Sequence, residues 1–191
     1  MIKVNLGCGK DYRTGWINVD FNPNVRADIY ADFNNDLPFK NDEVDYILLD
    51  GVLEHITPER YLRFIEELHR VCKSGAIIDI YVPHYSGMHA FKHPTHYKYF
   101  GIGSFDVFRP EELWNGERYS QVRFNLIKEE LFFFHKALVN VKFLSKLPIN
   151  WFFNFSRKWQ LIMEKFHLWG FDEIHYQLSV VKEEHENIRL L

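Results

Sequence analysis

The sequence is short of cysteine, of long apolar runs and of charge of one sign, and each shortage removes a class of protein. Cys8 and Cys72 are its only cysteines, far apart and outside any CxxC pair. A disulfide framework and a zinc knuckle therefore lack support, and a reducing compartment is expected. No apolar run is long enough to span a bilayer, and the opening MIKVNLGCG reads as a strand and turn rather than a charged leader with an apolar core. The expected location is the cytoplasm. The formal net charge is only −3 and the 23 Lys and Arg residues are scattered, so the basic footprint of a nucleic-acid binder is missing and no nucleic-acid partner is expected. A P-loop is absent. A nicotinamide-type GxGxxG fails too, because Tyr12 stands where the third glycine would follow Gly7 and Gly9.

What is present is apolar content: 47% of 191 residues, enough to bury the core of one domain. With no internal repeat and no Gly-, Ser- and Pro-rich linker, a single domain over 1–191 is expected, with 1–85 and 86–191 as its halves. The first half alternates short apolar runs with helix-like stretches, the pattern of a parallel sheet with crossover connections. Strands are predicted near Ile2–Leu6, Trp16–Asp20, Ile29–Ala31, Val44–Leu49 and Ala76–Val82. Between the last two, Pro58 opens a helix whose Tyr61, Leu62, Ile65, Leu68 and Val71 recur at three- and four-residue steps, ended by Lys73-Ser74-Gly75. Right-handed crossovers place helices on both faces, and ligands in such folds bind beyond the carboxyl ends of the strands. Further on come an aromatic, His-rich loop from His84 to Phe108, a strand from Phe124 to Phe134, a helical aromatic stretch from Phe143 to Trp169 and a last strand, Glu173–Val181.

Three turns carry ligand chemistry. In Val4-Asn5-Leu6-Gly7-Cys8-Gly9-Lys10 a strand runs into a turn whose glycines let the backbone approach a ligand closely. Asp20 ends the run WINVD, where a carboxylate accepts from both hydroxyls of a ribose or serves as a turn residue. Asp32-Phe33 follows the next strand and suits an adenine, the carboxylate accepting from the exocyclic amine while the ring packs on the base.

VNLGCGK, WINVD, ADFNNDLPF, VDYILLDGVLEHI and LHRVCKSGAIIDIYVPH stand in order and at fitting spacing across residues 1–85. In this the sequence resembles the class I S-adenosylmethionine-dependent methyltransferases, of the methyltransferase type 11 kind. The resemblance implies a Rossmann-like three-layer α/β/α sandwich with a mostly parallel seven-stranded sheet, an antiparallel last strand and a helical aromatic insertion over about 142–170 before it. It implies S-adenosylmethionine as cofactor and S-adenosylhomocysteine as product, bound by the 1–85 half. The methyl acceptor it implies is a small molecule or glycan, a hydroxyl favoured and a lipid-linked compound included. Motif by motif, Gly7 and Gly9 flank the methionine moiety within the segment that also holds Asn5 and Leu6, Asp20 takes the ribose, Asp32 and Phe33 the adenine, and Asp50 lies near the methionine end and the sulfonium. Many relatives carry an acid where Asn5 stands; Asn5 hydrogen-bonds but has no charge, which loosens the hold on the methionine end. Leu53-Glu54-His55 extends the VLEH segment of the family, where Glu54 and His55 are read as structural. More loosely, the PH and PTHxxxF segments are similar to bacterial and archaeal methyltransferases found with surface-polysaccharide genes.

Methyl transfer from a sulfonium needs alignment and desolvation, and a base only when the acceptor must lose a proton, a role that suits histidine. His84, His89, His93 and His96 lie within thirteen positions. His84 first and His96 next are the substrate-side candidates, with Tyr85 as a hydroxyl partner. As metal ligands, two or three of these rings would have to converge, with Asp106 as a carboxylate. No HExxH motif orients them, so no metal ligand is assigned and most are read as structural. From 142 to 169, Trp151, Phe152, Phe153, Phe155, Trp159, Phe166 and Trp169 interleave with Lys146, Arg157, Lys158 and Lys165. This stretch reads as a cap packed on the sheet or on a second copy in a homodimer, as a lid over a lipid-linked acceptor, or as a peripheral membrane contact. The rival from another class is a non-catalytic binding or scaffolding subunit of the same fold, suggested by Asn5 and by the substrate loop.

Overall fold

The computed structural model describes residues 1–111, 119–133, 149–167 and 170–182. Its seven strands are β1 (Lys3–Leu6), β2 (Ile17–Asp20), β3 (Ile29–Tyr30), β4 (Val44–Asp50), β5 (Cys72–Pro83), β6 (Arg123–Phe132) and β7 (Glu173–Val181). They form one sheet in the order β3-β2-β1-β4-β5-β7-β6. The first five pair in parallel, whereas β7 is antiparallel to both β5 and β6. One reversed strand in a mostly parallel sheet is the Rossmann-like architecture expected. The central strands are buried runs, Val4-Asn5-Leu6 in β1 and Ile47-Leu48-Leu49 in β4, as a sheet covered on both faces requires.

Helix α1 (Pro58–Val71) starts on Pro58, whose missing N–H costs nothing in a first turn. It buries Tyr61, Phe64, Ile65, Leu68 and Val71. Leu62, expected on this face, is exposed and Phe64 takes its place. The helix runs directly into β5 at Cys72, four residues before the predicted start at Ala76. Cys72 pairs with Val44, and the register slips between Val44 and Tyr46. Lys73-Ser74-Gly75, read from sequence as a helix stop, is thus an irregularity within the strand, with Gly75 at φ +77°.

The connections before β4 differ from the expected crossovers. Residues 7–16, 21–28 and 31–43 are turns without a helix, so side chains must satisfy their backbone. Asn18 does this for the first two: its Oδ1 accepts from the Arg13 N–H at 2.8 Å, and its own N–H donates to Asp28 Oδ2 at 2.8 Å. Glu67 and Arg70 of α1 do it for the third. Buried Glu67 accepts from the Leu37 N–H at 2.9 Å, and Arg70, paired with it at 2.7 Å, donates to the carbonyls of Leu37 and Phe39. The Arg70 hydrogen bonds hold the Glu67 carboxyl below its ordinary value.

Glu67→Ala is expected to destabilise the fold by about 2–3 kcal/mol at neutral pH, since it strands a buried N–H and half-releases an arginine. A urea midpoint measures this. Because the folded-state value is depressed, the contribution is present above the ordinary carboxylate range and is lost as pH falls through the folded value. The difference between wild type and variant should shrink in acid.

Beyond β5 lie α2 (Met88–Lys92), α3 (Ile149–Phe153) and α4 (Arg157–Lys165), the last capped by Ser156 Oγ accepting from the Trp159 N–H. The predicted strand 124–134 is β6, and its last residue lies outside the described residues. Of the predicted helical stretch 143–169, residues 143–148 and 168–169 also lie outside them. The described part covers the free edge of the sheet: Asn154 pairs with both backbone groups of Leu131 at 2.8 and 2.9 Å, which blunts edge strand β6. Among the described residues no helix is long and apolar enough to cross a membrane.

Candidate active site

Two cavities open at the carboxyl ends of the parallel strands and meet at Gly51. The first, about 450 Å³, is lined by Gly7, Asp20, Asp32, Phe33, Val52 and His55, among others, a size suited to a small organic ligand. Its floor is built by backbone geometry. Gly7 has φ +70°, and a Cβ there would lie 2.4 Å from Val52 Cγ2, so only glycine keeps both the turn and the cavity. The N–H groups of Gly7 and Cys8 both reach the Val19 carbonyl, binding the loop to the end of β2.

Asp20 is 5% exposed. Its Oδ2 accepts from the Gly9 N–H at 2.7 Å and its Oδ1 from the Asn22 N–H at 2.9 Å, which leaves each oxygen one lone-pair position for a ligand hydroxyl. Asp32 Oδ1 takes the N–H and the side-chain amide of Asn34, and the residue lines the cavity. Phe33 is a buried wall, braced by Phe64 with ring centroids 6.0 Å apart. Two residues of this segment are elsewhere. Leu6 is wholly buried in the core. Asn5 donates to the Asp11 carbonyl at 2.7 Å, so it orders the glycine loop from behind and does not line the cavity.

The second cavity, about 300 Å³, is lined by Asp50, Glu54, Tyr81, His89, Lys92, His93, His96, Asp172 and Glu173, with Gly51 shared. Asp50 and His96 fall here, on the side away from the nucleoside wall. Glu54, read from sequence as structural, stands at the wall of this cavity. It sits in the single helical turn Leu53–His55 after Gly51, is 2% exposed, and its Oε2 has no hydrogen-bond partner. Burial, with the negative charges of Asp50 and Glu173, pushes its carboxyl up to about 7. A carboxylate oxygen buried without a partner at a cavity wall is a mark of a functional site. The signal available in sequence was an acid placed four residues after a strand end that itself carries an acid.

His84 and Tyr85 are corrections. His84 is fully buried. Its Nε2 donates to Glu164 Oε1 at 2.7 Å and its Nδ1 accepts from Ser86 Oγ at 2.8 Å, while its ring packs edge-on against Phe171. With both nitrogens engaged and outside the lining of both cavities, His84 clamps the end of β5 to α4 rather than facing the acceptor side. The Tyr85 hydroxyl donates to the Glu164 carbonyl at 3.3 Å, and Tyr85 lines neither cavity. Asp106 is held by Arg157 at 2.7 Å, away from the histidines. Both cysteines are buried, and burial pushes the Cys72 thiol up to about 12 and raises that of Cys8, which disfavours the thiolate.

The strand order, the reversed β7 and the cavities at the strand ends define the class I methyltransferase fold. Residues 4–80 match the methyltransferase domain family. The chain is similar to a SAM-dependent methyltransferase from Archaeoglobus fulgidus, 17% identical over 93% of this chain and 85% of that one, with a TM-score of 0.52. The YcgJ protein from Bacillus subtilis is 13% identical, covers 95% and 92%, and superposes with a TM-score of 0.56. An S-adenosylmethionine-dependent methyltransferase from Mesorhizobium loti is 12% identical over 93% and 90%, with a TM-score of 0.55. No curated protein matches the chain in sequence. The cofactor of this family and fold is S-adenosylmethionine, and the first cavity fits it. Asp20 would hold the ribose, Asp32 and Phe33 the adenine, and the Gly7–Gly9 turn leaves room for the chain that leads toward Gly51.

Proposed function

We propose that this chain transfers a methyl group from S-adenosylmethionine to a hydroxyl of a small molecule or glycan. The observation that carries the reading is the junction at Gly51, where the cavity lined by Gly7, Asp20, Asp32 and Phe33 meets a second one lined by carboxylates and imidazoles. Bound in the first cavity, the cofactor supplies an electrophilic methyl carbon on a sulfonium. The chain's own residues do the rest. Carboxylates accept hydrogen bonds from hydroxyls, so Asp50, Asp172 and Glu173 suit a polyol such as a sugar. Glu54, at the wall of the same cavity, takes the proton that the attacking hydroxyl must lose. Val52 and Ile56 close the donor side with apolar surface and keep water from the sulfonium.

An acceptor with an apolar tail is supported by the exposed rings of Trp151, Phe152, Phe155 and Phe166 on and beside α3 and α4, a surface suited to a lipid-linked glycan. The test is transfer from methyl-labelled donor to a panel of glycans, lipid-linked glycans and amines. Label in a methyl ether, released in step with S-adenosylhomocysteine, is the expected result. Label on an amine overturns the hydroxyl assignment, and donor binding without turnover on any acceptor favours a scaffolding subunit.

A further inference from the structure

His55, far in sequence from the other two, comes together with His93 and His96 at the boundary of the cavities. His55 lines the donor side, and His93 and His96 line the acceptor side. One ring nitrogen from each lies within 4.8 Å of the other two, and the ring centroids are 4.7, 5.2 and 5.2 Å apart. Backbone carbonyls fix the tautomers of two of the rings. His96 Nδ1 faces the Ala90 carbonyl at 3.1 Å and His55 Nδ1 faces the Thr95 carbonyl at 3.2 Å. A carbonyl only accepts, so both Nδ1 atoms carry the proton and both Nε2 atoms keep a lone pair. Thr95 Oγ1 lies 2.8 Å from His55 Nδ1 and 2.9 Å from His93 Nδ1, so one hydroxyl ties the two rings together. The result is three imidazoles, each held through Nδ1 by a carbonyl or hydroxyl, the arrangement that supports metal-ligating histidines.

We propose that His55, His93 and His96 bind a divalent transition cation of the zinc type, with Thr95 and the Ala90 carbonyl orienting the ligands. Nitrogen-only ligation by three histidines suits zinc, cobalt or nickel rather than calcium or magnesium, and it leaves one position of a tetrahedron open. Nitrogens on a tetrahedral zinc stand roughly 3.3–3.4 Å apart, given bonds of about 2.0–2.1 Å. The triad would have to tighten by about 1.4 Å to reach that spacing, and His93, exposed on the surface, is the ring with room to move. The acidic cavity beside it, with Asp50, Glu54 and Glu173, offsets the cation's charge. The ligand class for the open position is an oxygen donor, and on the methyl-transfer reading, on which this role but not the site itself rests, that donor is the acceptor hydroxyl.

The experiment is titration of the purified chain with Co2+, read by the visible ligand-field absorption of a tetrahedral complex, and with Zn2+ by calorimetry. A single ion per chain with an intense tetrahedral band is expected. His93→Ala should weaken binding by about 100-fold and abolish the band, Thr95→Val should weaken it by roughly tenfold, and His89→Ala, outside the triad, should leave it intact. His93 is a surface residue, and circular dichroism verifies that its variant folds. A weak, octahedral cobalt spectrum in the wild type, or equal binding by wild type and His93→Ala, overturns the site. Affinity for S-adenosylhomocysteine is measured on the same samples without metal. Its loss alone would sink the methyl-transfer reading while leaving the metal site, and the reverse pattern would sink only the metal site.

Discussion

Asp20→Ala is expected to raise the dissociation constant for S-adenosylhomocysteine by about 100-fold or more, measured by calorimetry. The magnitude follows from what one carboxylate does at that place. Hydrogen bonds to a charged acceptor contribute about 1.5–3 kcal/mol each, and Asp20 offers a free lone-pair position on each oxygen to the two ribose hydroxyls. The substitution also frees the Gly9 and Asn22 N–H groups that the carboxylate now holds, so the glycine turn loses its tie to the end of β2 and the cavity floor is no longer pre-organised. Asp20→Asn separates these effects. The amide keeps the shape and one acceptor but turns an N–H toward a backbone donor, so an intermediate loss, roughly tenfold, is expected. Unchanged affinity in Asp20→Ala would remove the nucleoside from the first cavity and with it the donor half of the proposed reaction.

The donor half was legible because its parts are local. Strand, turn and ligand residue follow one another at Gly7–Gly9, Asp20 and Asp32–Phe33, and each depends only on where a parallel strand ends. The acceptor half depends on contacts that no local pattern encodes. His84 follows Pro83 at a strand end, which reads as a residue facing the ligand, but its position is decided by Glu164, eighty residues away. His55 reads as part of a family segment, and only folding brings it to His93 and His96. The first three crossovers show the same limit from the other side. A parallel sheet is expected to carry helices in its crossovers, whereas Asn18, Asp28, Glu67 and Arg70 satisfy the backbone of plain turns instead, and side-chain partners across such distances have no periodicity to betray them.

Glu54→Gln is expected to lower kcat by about 10²–10³, within the range for loss of a general base, while affinity for S-adenosylhomocysteine stays at the wild-type value. The second expectation follows from placement, since Glu54 lines the acceptor cavity and not the donor cavity. Stability separates a working role from a structural one. A structural carboxylate loses partners when it is changed to an amide, and the fold weakens. Glu54 has one oxygen buried without any partner and acidic neighbours in Asp50 and Glu173, so removing its charge relieves an uncompensated burden. Glu54→Gln should therefore melt at or above the temperature of the wild type while turning over slowly, the pairing expected where a site is kept strained for function. A variant that melts lower and turns over normally would return Glu54 to the scaffold and leave the acceptor proton to another carboxylate of the same cavity.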